Sequence, residues 1–281
     1  MDKILHDFLV FEKEEQLFER KYLGVYYWQS TRLSISRKLQ KQDVKAIDSP
    51  LQTESRFARI MNRLQGIGFD FINWLHLKQA DILYFDEQLY RNVDGRAVDI
   101  YFDYWKFEDK YTIQRCYQCS GITTKGFKGH GIGVTIPDFW HDIVAIYLNV
   151  LNKLQDVNED KEIIKICKKI NDKFGTDIVT RDVIERVRDY AIIEKVYQKY
   201  YLRLLKKVRP QAIFVECHYM MNLFPLYNVA KKCNIPVIEL QHGLTCYNDA
   251  YNYKDISSIG KALPDYFFRM ESFGIILFSY P

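Results

Sequence analysis

Ala212-Ile213-Phe214-Val215-Glu216-Cys217, and, a short helical stretch later, Pro236-Val237-Ile238-Glu239-Leu240-Gln241-His242-Gly243, decide the fold of this chain. The first run is apolar and β-branched, which reads as a buried strand. Asn222 to Cys233 carries Leu223, Leu226, Tyr227, Val229 and Ala230 at helical spacing. Asn234-Ile235-Pro236 reads as a turn, and Pro236 to Leu240 as the next strand. Strand, helix and strand within about 30 residues form a βαβ unit with parallel strands and a right-handed crossover. The second strand runs directly into Gln241-His242-Gly243, at the carboxyl end where open α/β sheets bind their ligands.

The rhythm extends outward from this unit. Toward the amino terminus, Arg181 to Lys207 reads as a long helix with Val183, Val187, Tyr190, Tyr197 and Leu204 on one stripe, ended by Pro210. Lys161 to Lys173 reads as another helix, and Pro137-Asp138 opens one that runs to Leu151. Ala80 to Phe85 reads as a buried strand that ends in the polar Asp86-Glu87-Gln88, and Asp94-Gly95 as a turn. Val98 to Tyr104 and Tyr111 to Cys116 are further strand candidates. The first 80 residues read as mostly helical and irregular, with helical spacing from Glu12 to Tyr27 and from Ser55 to Leu77. The expected fold is α/β: a Rossmann-like parallel sheet flanked by helices. The expected division is a helical part over 1–80 and a Rossmann-like domain over 81–270.

Composition narrows the function classes. The chain has 281 residues, 48% hydrophobic and 27% charged, an ordinary globular mix. A formal net charge of +4 without a long Lys/Arg run does not point to nucleic acid. The start at Met1-Asp2-Lys3 lacks a signal peptide, and no apolar run reaches 18 residues. Six scattered Cys then read as reduced cytoplasmic thiols. Aromatic residues make up 15% of the chain, which suits a cleft wall or a core edge equally.

Several constellations bear on chemistry. His242 can act as a base near neutral pH, Gly243 permits close backbone approach, and Glu239 alternates onto the same sheet face as Gln241. The plain alternative is a satisfied polar cluster at a strand end. Glu216 and His218 follow the preceding strand, so the two loops lie side by side and their His residues could flank one crevice. The alternative there is Glu216 capping the next helix and His218 in solvent. The glycine-rich stretch 120–134, with Lys125, Lys128 and His130, lacks a phosphate-loop signature, and Rossmann spacing from Gly131 fails at Ile136. Cys116-Tyr117-Gln118-Cys119 has no second pair to complete a zinc site. Asp99 and Asp103 sit among Tyr101, Phe102 and Tyr104, as in a sugar site or on a solvated edge. No metal or cofactor is expected.

The stretch from Arg209 to Gly243 resembles bacterial surface-polysaccharide glycosyltransferases of the two-Rossmann-domain GT-B type, found in capsule and lipopolysaccharide biosynthesis. The resemblance rests on Ile235-Pro236, on Glu239-Leu240-Gln241-His242-Gly243, on the Tyr-rich Tyr247 to Tyr251, and on Leu263-Pro264-Asp265-Tyr266-Phe267. It covers residues 205–274. It implies the N-terminal, acceptor-side half of a GT-B enzyme that moves a sugar from a nucleotide sugar to a glycan hydroxyl. By the same resemblance His242 is the base or orienting residue facing the acceptor hydroxyl; placement at the strand ends makes Glu239 its orienter or an acceptor contact, and Gln241, Gly243, Glu216 and His218 the substrate-binding candidates. It further implies a glycan or lipid-linked acceptor and a cytoplasmic protein in peripheral contact with the inner face of the plasma membrane. The nucleotide site belongs to a second Rossmann half, of which 271–281 would be a linker or a truncated start. The alternatives are a non-catalytic binding module, exposing Ile275 to Phe278 as an apolar tail, an inactive remnant, or a relative of the CDP-glycerol glycerophosphotransferases, which carry a similar His-Gly.

Overall fold

The computed structural model describes residues 3–40, 56–86, 90–93, 96–99, 102–103, 107–117, 131–150, 156–240, 263–271 and 274–279. Its centre is a seven-stranded sheet. In chain order the strands are β3 (Ile82–Asp86), β6 (Ile113–Tyr117), β7 (Gly131–Ile132), β8 (Ala212–Val215), β9 (Val237–Leu240), β10 (Tyr266–Glu271) and β11 (Gly274–Ser279). In space they run β7-β6-β3-β8-β9-β10-β11. All neighbours from β7 to β10 pair in parallel, and β11 is antiparallel at the edge. Counted within the sheet, the parallel strands follow the order 3-2-1-4-5-6 of doubly wound, Rossmann-like sheets. That order reverses between β3 and β8.

Strands buried on both faces read as continuous apolar runs. In β3 every residue is buried, and Ile213 to Val215 of β8 are buried too. The helices that cover the sheet carry their own stop signals. In α5 (Val157–Phe174) the Asp156 carboxylate caps the start, accepting from the amides of Asn158 and Glu159 at 2.9 and 3.0 Å. Gly175 ends it at φ 63°, a left-handed conformation that glycine adopts without strain. The long α6 (Thr180–Val208) ends at left-handed Arg209, just before Pro210. The remaining helices are α3 (Arg56–His76), α4 (Thr135–Val150) and α7 (Phe224–Lys232).

The amino-terminal part departs from the expected helix over Glu12–Tyr27. Helix α1 (Lys3–Glu14) stops, a 3₁₀ turn follows at Leu17–Glu19, and then a small hairpin, β1 (Lys21–Tyr22) and β2 (Val25–Tyr26). Helix α2 (Trp28–Leu39) starts after it. The helical spacing is overridden by turn chemistry. Leu23 and Gly24 link the two strands with φ of 49° and 80°, the positive pair that a two-residue type I′ hairpin requires. This part shares one core with the sheet, which runs from Phe8 of α1 to Val237 of β9. The Phe174 ring of α5 meets Phe8 and Phe11 edge-on at 6.2 and 5.9 Å. Inside it the buried Glu12 carboxylate accepts from Arg32 Nε and Trp28 Nε1, both at 2.7 Å.

One more expectation is corrected, and the stretch after 271 takes a definite form. The strand placed at Val98–Tyr104 is β5 (Arg96–Asp99), paired with β4 (Tyr90–Val93) in a separate hairpin. It ends at Asp99 because the acids fold the chain back. Asp99 Oδ1 accepts from the Phe102 amide at 3.0 Å, and Asp103 Oδ2 from the Asp99 amide at 2.9 Å. Gly274 to Ser279, expected within a linker and as an apolar tail, is the edge strand β11. Its partner is β10, from Tyr266↔Ser279 to Glu271↔Gly274. No helix among the described residues is long and apolar enough to cross a membrane.

Candidate functional site

The carboxyl ends of β3, β8 and β9 gather buried polar groups where the strand order reverses. Register sorts them onto two faces. Tyr84, Phe214 and Ile238 lie level on one face, and Phe85, Val215 and Glu239 on the other.

On the first face, Tyr84 stacks on Phe102 with ring centroids 3.9 Å apart. Its hydroxyl donates to Asp99 Oδ2 at 2.5 Å and meets Glu216 Oε1. Asp86, Asp99 and Glu216 are fully buried, and their nearest carboxylate oxygens lie within 4.8 Å of one another. Arg115, from the middle of β6, reaches into this group. It bonds Asp86 Oδ2 at 3.2 Å, pairs with Asp103, and lies 3.6 Å from Asp99. The guanidinium also sits over the Tyr84 and Phe102 rings, 5.4 and 5.5 Å from their centroids. Buried charges persist only when paired and hydrogen-bonded. Among the described residues the Arg115 guanidinium and the Tyr84 phenol bridge these four carboxylates. The oxygen donors are of the kind that hard divalent cations take, and Arg115 already supplies a cation at that point.

On the second face, Glu239 and His218 are both fully buried. The Glu239 carboxylate accepts from the His218 amide at 3.1 Å and faces ring Nδ1 at 3.0 Å. A carboxylate at Nδ1 selects the tautomer protonated there, which makes Nε2 the acceptor of the neutral ring. The Tyr227 hydroxyl of α7 donates to the His218 carbonyl at 3.1 Å and fixes the turn.

The residues singled out from sequence fall as follows. Glu216 and His218 were expected at one crevice, or as a helix cap and a solvated ring. Neither the cap nor the solvated ring is found: α7 begins only at Phe224, and both side chains are buried. Glu216 joins Tyr84, whereas His218 joins Glu239. Asp99 and Asp103 do not form a solvated edge, because both are drawn in by Arg115. Gln241, His242 and Gly243 lie outside the described residues, as do Lys125, Lys128, His130, Cys119 and Tyr247–Tyr251. Cys116 is buried in β6, where burial pushes its thiol well above the usual range.

Three members of the site escape sequence reading: Tyr84, Asp86 and Arg115. The available signal was a charged residue in the middle of a short strand, Ile113 to Tyr117. The end of the glycine-rich stretch has a structural task. The Gly133 and Thr135 amides donate to the buried Asp70 carboxylate of α3 at 2.7 and 2.8 Å, which caps the start of α4. Burial pushes the Asp70 carboxyl up, and these amides pull it back.

The fold class is thus a Rossmann-like α/β sheet with a polar site at its topological switch point. Comparison with protein-family models, curated proteins and solved structures finds no match to this chain.

Proposed function

We propose that the chain is the acceptor-side domain of a glycosyltransferase that builds bacterial surface polysaccharide. The observation that carries the reading is the buried Glu239–His218 pair. It lies at the carboxyl end of β9, next to the strand-order reversal, and Glu239 opens the Glu-x-Gln-His-Gly run that the resemblance rests on. In this reading the acceptor hydroxyl loses its proton to His242 as its oxygen attacks the anomeric carbon of the donor. The bond to the nucleotide diphosphate breaks, and the diphosphate leaves with the electron pair. Glu239 holds His218 in one tautomer, and Gln241 contacts the acceptor, as the reading of the strand end implies. The donor nucleotide is met by a second Rossmann unit, as the resemblance implies. A lipid-linked acceptor brings the protein to the inner face of the plasma membrane.

The test is transfer from a panel of nucleotide sugars and CDP-glycerol to surface-glycan acceptors, read by mass spectrometry. Sugar transfer lost in His242→Ala supports the reading. Glycerol phosphate transfer instead assigns the chain to the glycerophosphotransferase class. Glycan binding without turnover by either donor class assigns a binding module.

A further inference from the structure

Helix α3 faces the wrong way for a helix of a solitary domain. Amphipathic helices turn their apolar stripe to the core. Among the described positions of α3 the buried ones are Gly66 and Asp70, against the Thr135–Gly133 turn, and Trp74 packs half-buried on Tyr200, while Leu64, Phe71 and Leu75 point outward. Its neighbour α4 does the same with Trp140, Ile146 and Val150. These six side chains are between 53% and 76% exposed. Five large apolar residues of α3 and six of α4 are exposed in this way. At roughly 150–250 Å² per large side chain, half exposed, they present on the order of 1,000 Å². That exceeds the ~300–600 Å² of the largest patch on a typical monomer. It matches the ~800 Å² per partner that a stable interface buries.

Two independent features say what covers it. The first is charge. Helix α4 has no Lys or Arg, and its acids are engaged, Asp138 by Tyr197 and Asp142 by His141. Between Leu64 and Leu75 the only charged residue of α3 is Asp70, which is buried. A surface that docks on anionic lipid carries cations around its apolar face. Its centre carries none along α4 or between Leu64 and Leu75 of α3, although Arg63 precedes that stretch and Lys207 lies over the Trp74 ring, and two copies meet at that centre without like-charge repulsion. The second feature is Gly68. It lies in the outward stripe of α3, at a helical φ, and a Cβ built on it meets nothing within 4 Å. Glycine weakens a helix interior, and nothing within the described chain requires one here. A second helix crossing close to the backbone does.

We propose that the α3–α4 face is the interface through which two copies of this chain pair about a two-fold axis. Phe71, Ile146 and Trp140 form its apolar centre and Gly68 the point of closest approach.

The experiment is sedimentation equilibrium of the full chain, its Phe71→Glu and Ile146→Glu variants, and Gly68→Ala. The expected result is a dimer that each Glu substitution weakens at least about 30-fold, with an unchanged far-ultraviolet spectrum. Gly68→Ala weakens it too, although alanine is the better helix former. A monomeric wild-type chain overturns the proposal, as does a dimer that survives both Glu substitutions. Flotation of a monomeric chain with anionic vesicles, abolished by the same substitutions, overturns it in favour of a bilayer.

Discussion

His218 Nδ1 lies 3.0 Å from a Glu239 carboxylate oxygen, and no part of either residue reaches solvent. The pair joins the turn after β8 to the end of β9, so it sets the shape of the carboxyl edge as well as its chemistry. Glu239→Ala removes the acceptor of a buried amide and a buried ring at once. The expected loss is about 2–6 kcal/mol of stability, at about 1–3 kcal/mol per stranded donor. Glu239→Gln retains one acceptor oxygen and costs less. Urea denaturation of the two variants checks the ranking.

Arg115 is the cation of the other face. Arg115→Met leaves Asp86, Asp99 and Asp103 without it, and breaking a buried pair in this way costs about 3–5 kcal/mol. Arg115→Met combined with Asp99→Asn is expected to lose less than the sum of the single changes, because one uncompensated charge is gone. Chemical denaturation of the four proteins in the cycle measures the coupling. Additive losses would show that Arg115 and Asp99 do not interact.

Gly133 has no room for a side chain. A Cβ there would stand 2.6 Å from Asp70 Oδ1, and the carboxylate is held by two amides. Gly133→Ala is therefore expected to cost about 1–3 kcal/mol, the usual penalty of overpacking. Asp70→Ala is expected to be as damaging, since it strands the amides that start α4. Thermal denaturation reads both.

His141 on α4 supplies a pH-dependent term. Its Nε2 is 2.8 Å from Asp189 of α6, and its Nδ1 is 3.2 Å from Asp142. The Asp189 carboxylate against Nε2 raises the imidazole above its ordinary 6.5, against the desolvation that lowers it, and Asp142 adds to the rise. A raised histidine contributes stability that is fully present below the unfolded pKa and lost as pH rises through the folded one. The melting temperature is expected to fall from this term as pH rises above about 6.5. Asp189→Asn is expected to flatten that part of the profile. An unchanged slope in the variant would remove His141 from the account.

The fold was legible in particular residues. The βαβ unit from Ala212 to Leu240 stood out because its strands are buried on both faces and its helix is amphipathic. The signals for α5 and α6 were as plain: apolar stripes at helical spacing, and Pro210 after the second. The misreading over Glu12–Tyr27 has a local cause. Helical spacing of Leu17, Phe18, Tyr22 and Leu23 was weighed above Gly24, whose positive φ makes a hairpin turn. At the site, Glu216, His218 and Glu239 were picked out by their place at strand ends. Which of them pair, and that Glu216 takes Tyr84, was not legible, because pairing depends on which strands become neighbours.

By itself the sequence determined the α/β class, the parallel βαβ unit and the helices around it. Those follow from periodicity and turn chemistry, which act over a few residues. Only the tertiary structure decided that β3 stands beside β8, far apart in the chain, and that Arg115 of β6 lies within reach of both. It also decided that Glu239 turns toward His218 while Glu216 turns toward Tyr84. Alternation of side chains along a strand says which residues share a face. It does not say which strand lies alongside, and a buried carboxylate takes the donor that its neighbouring strand brings.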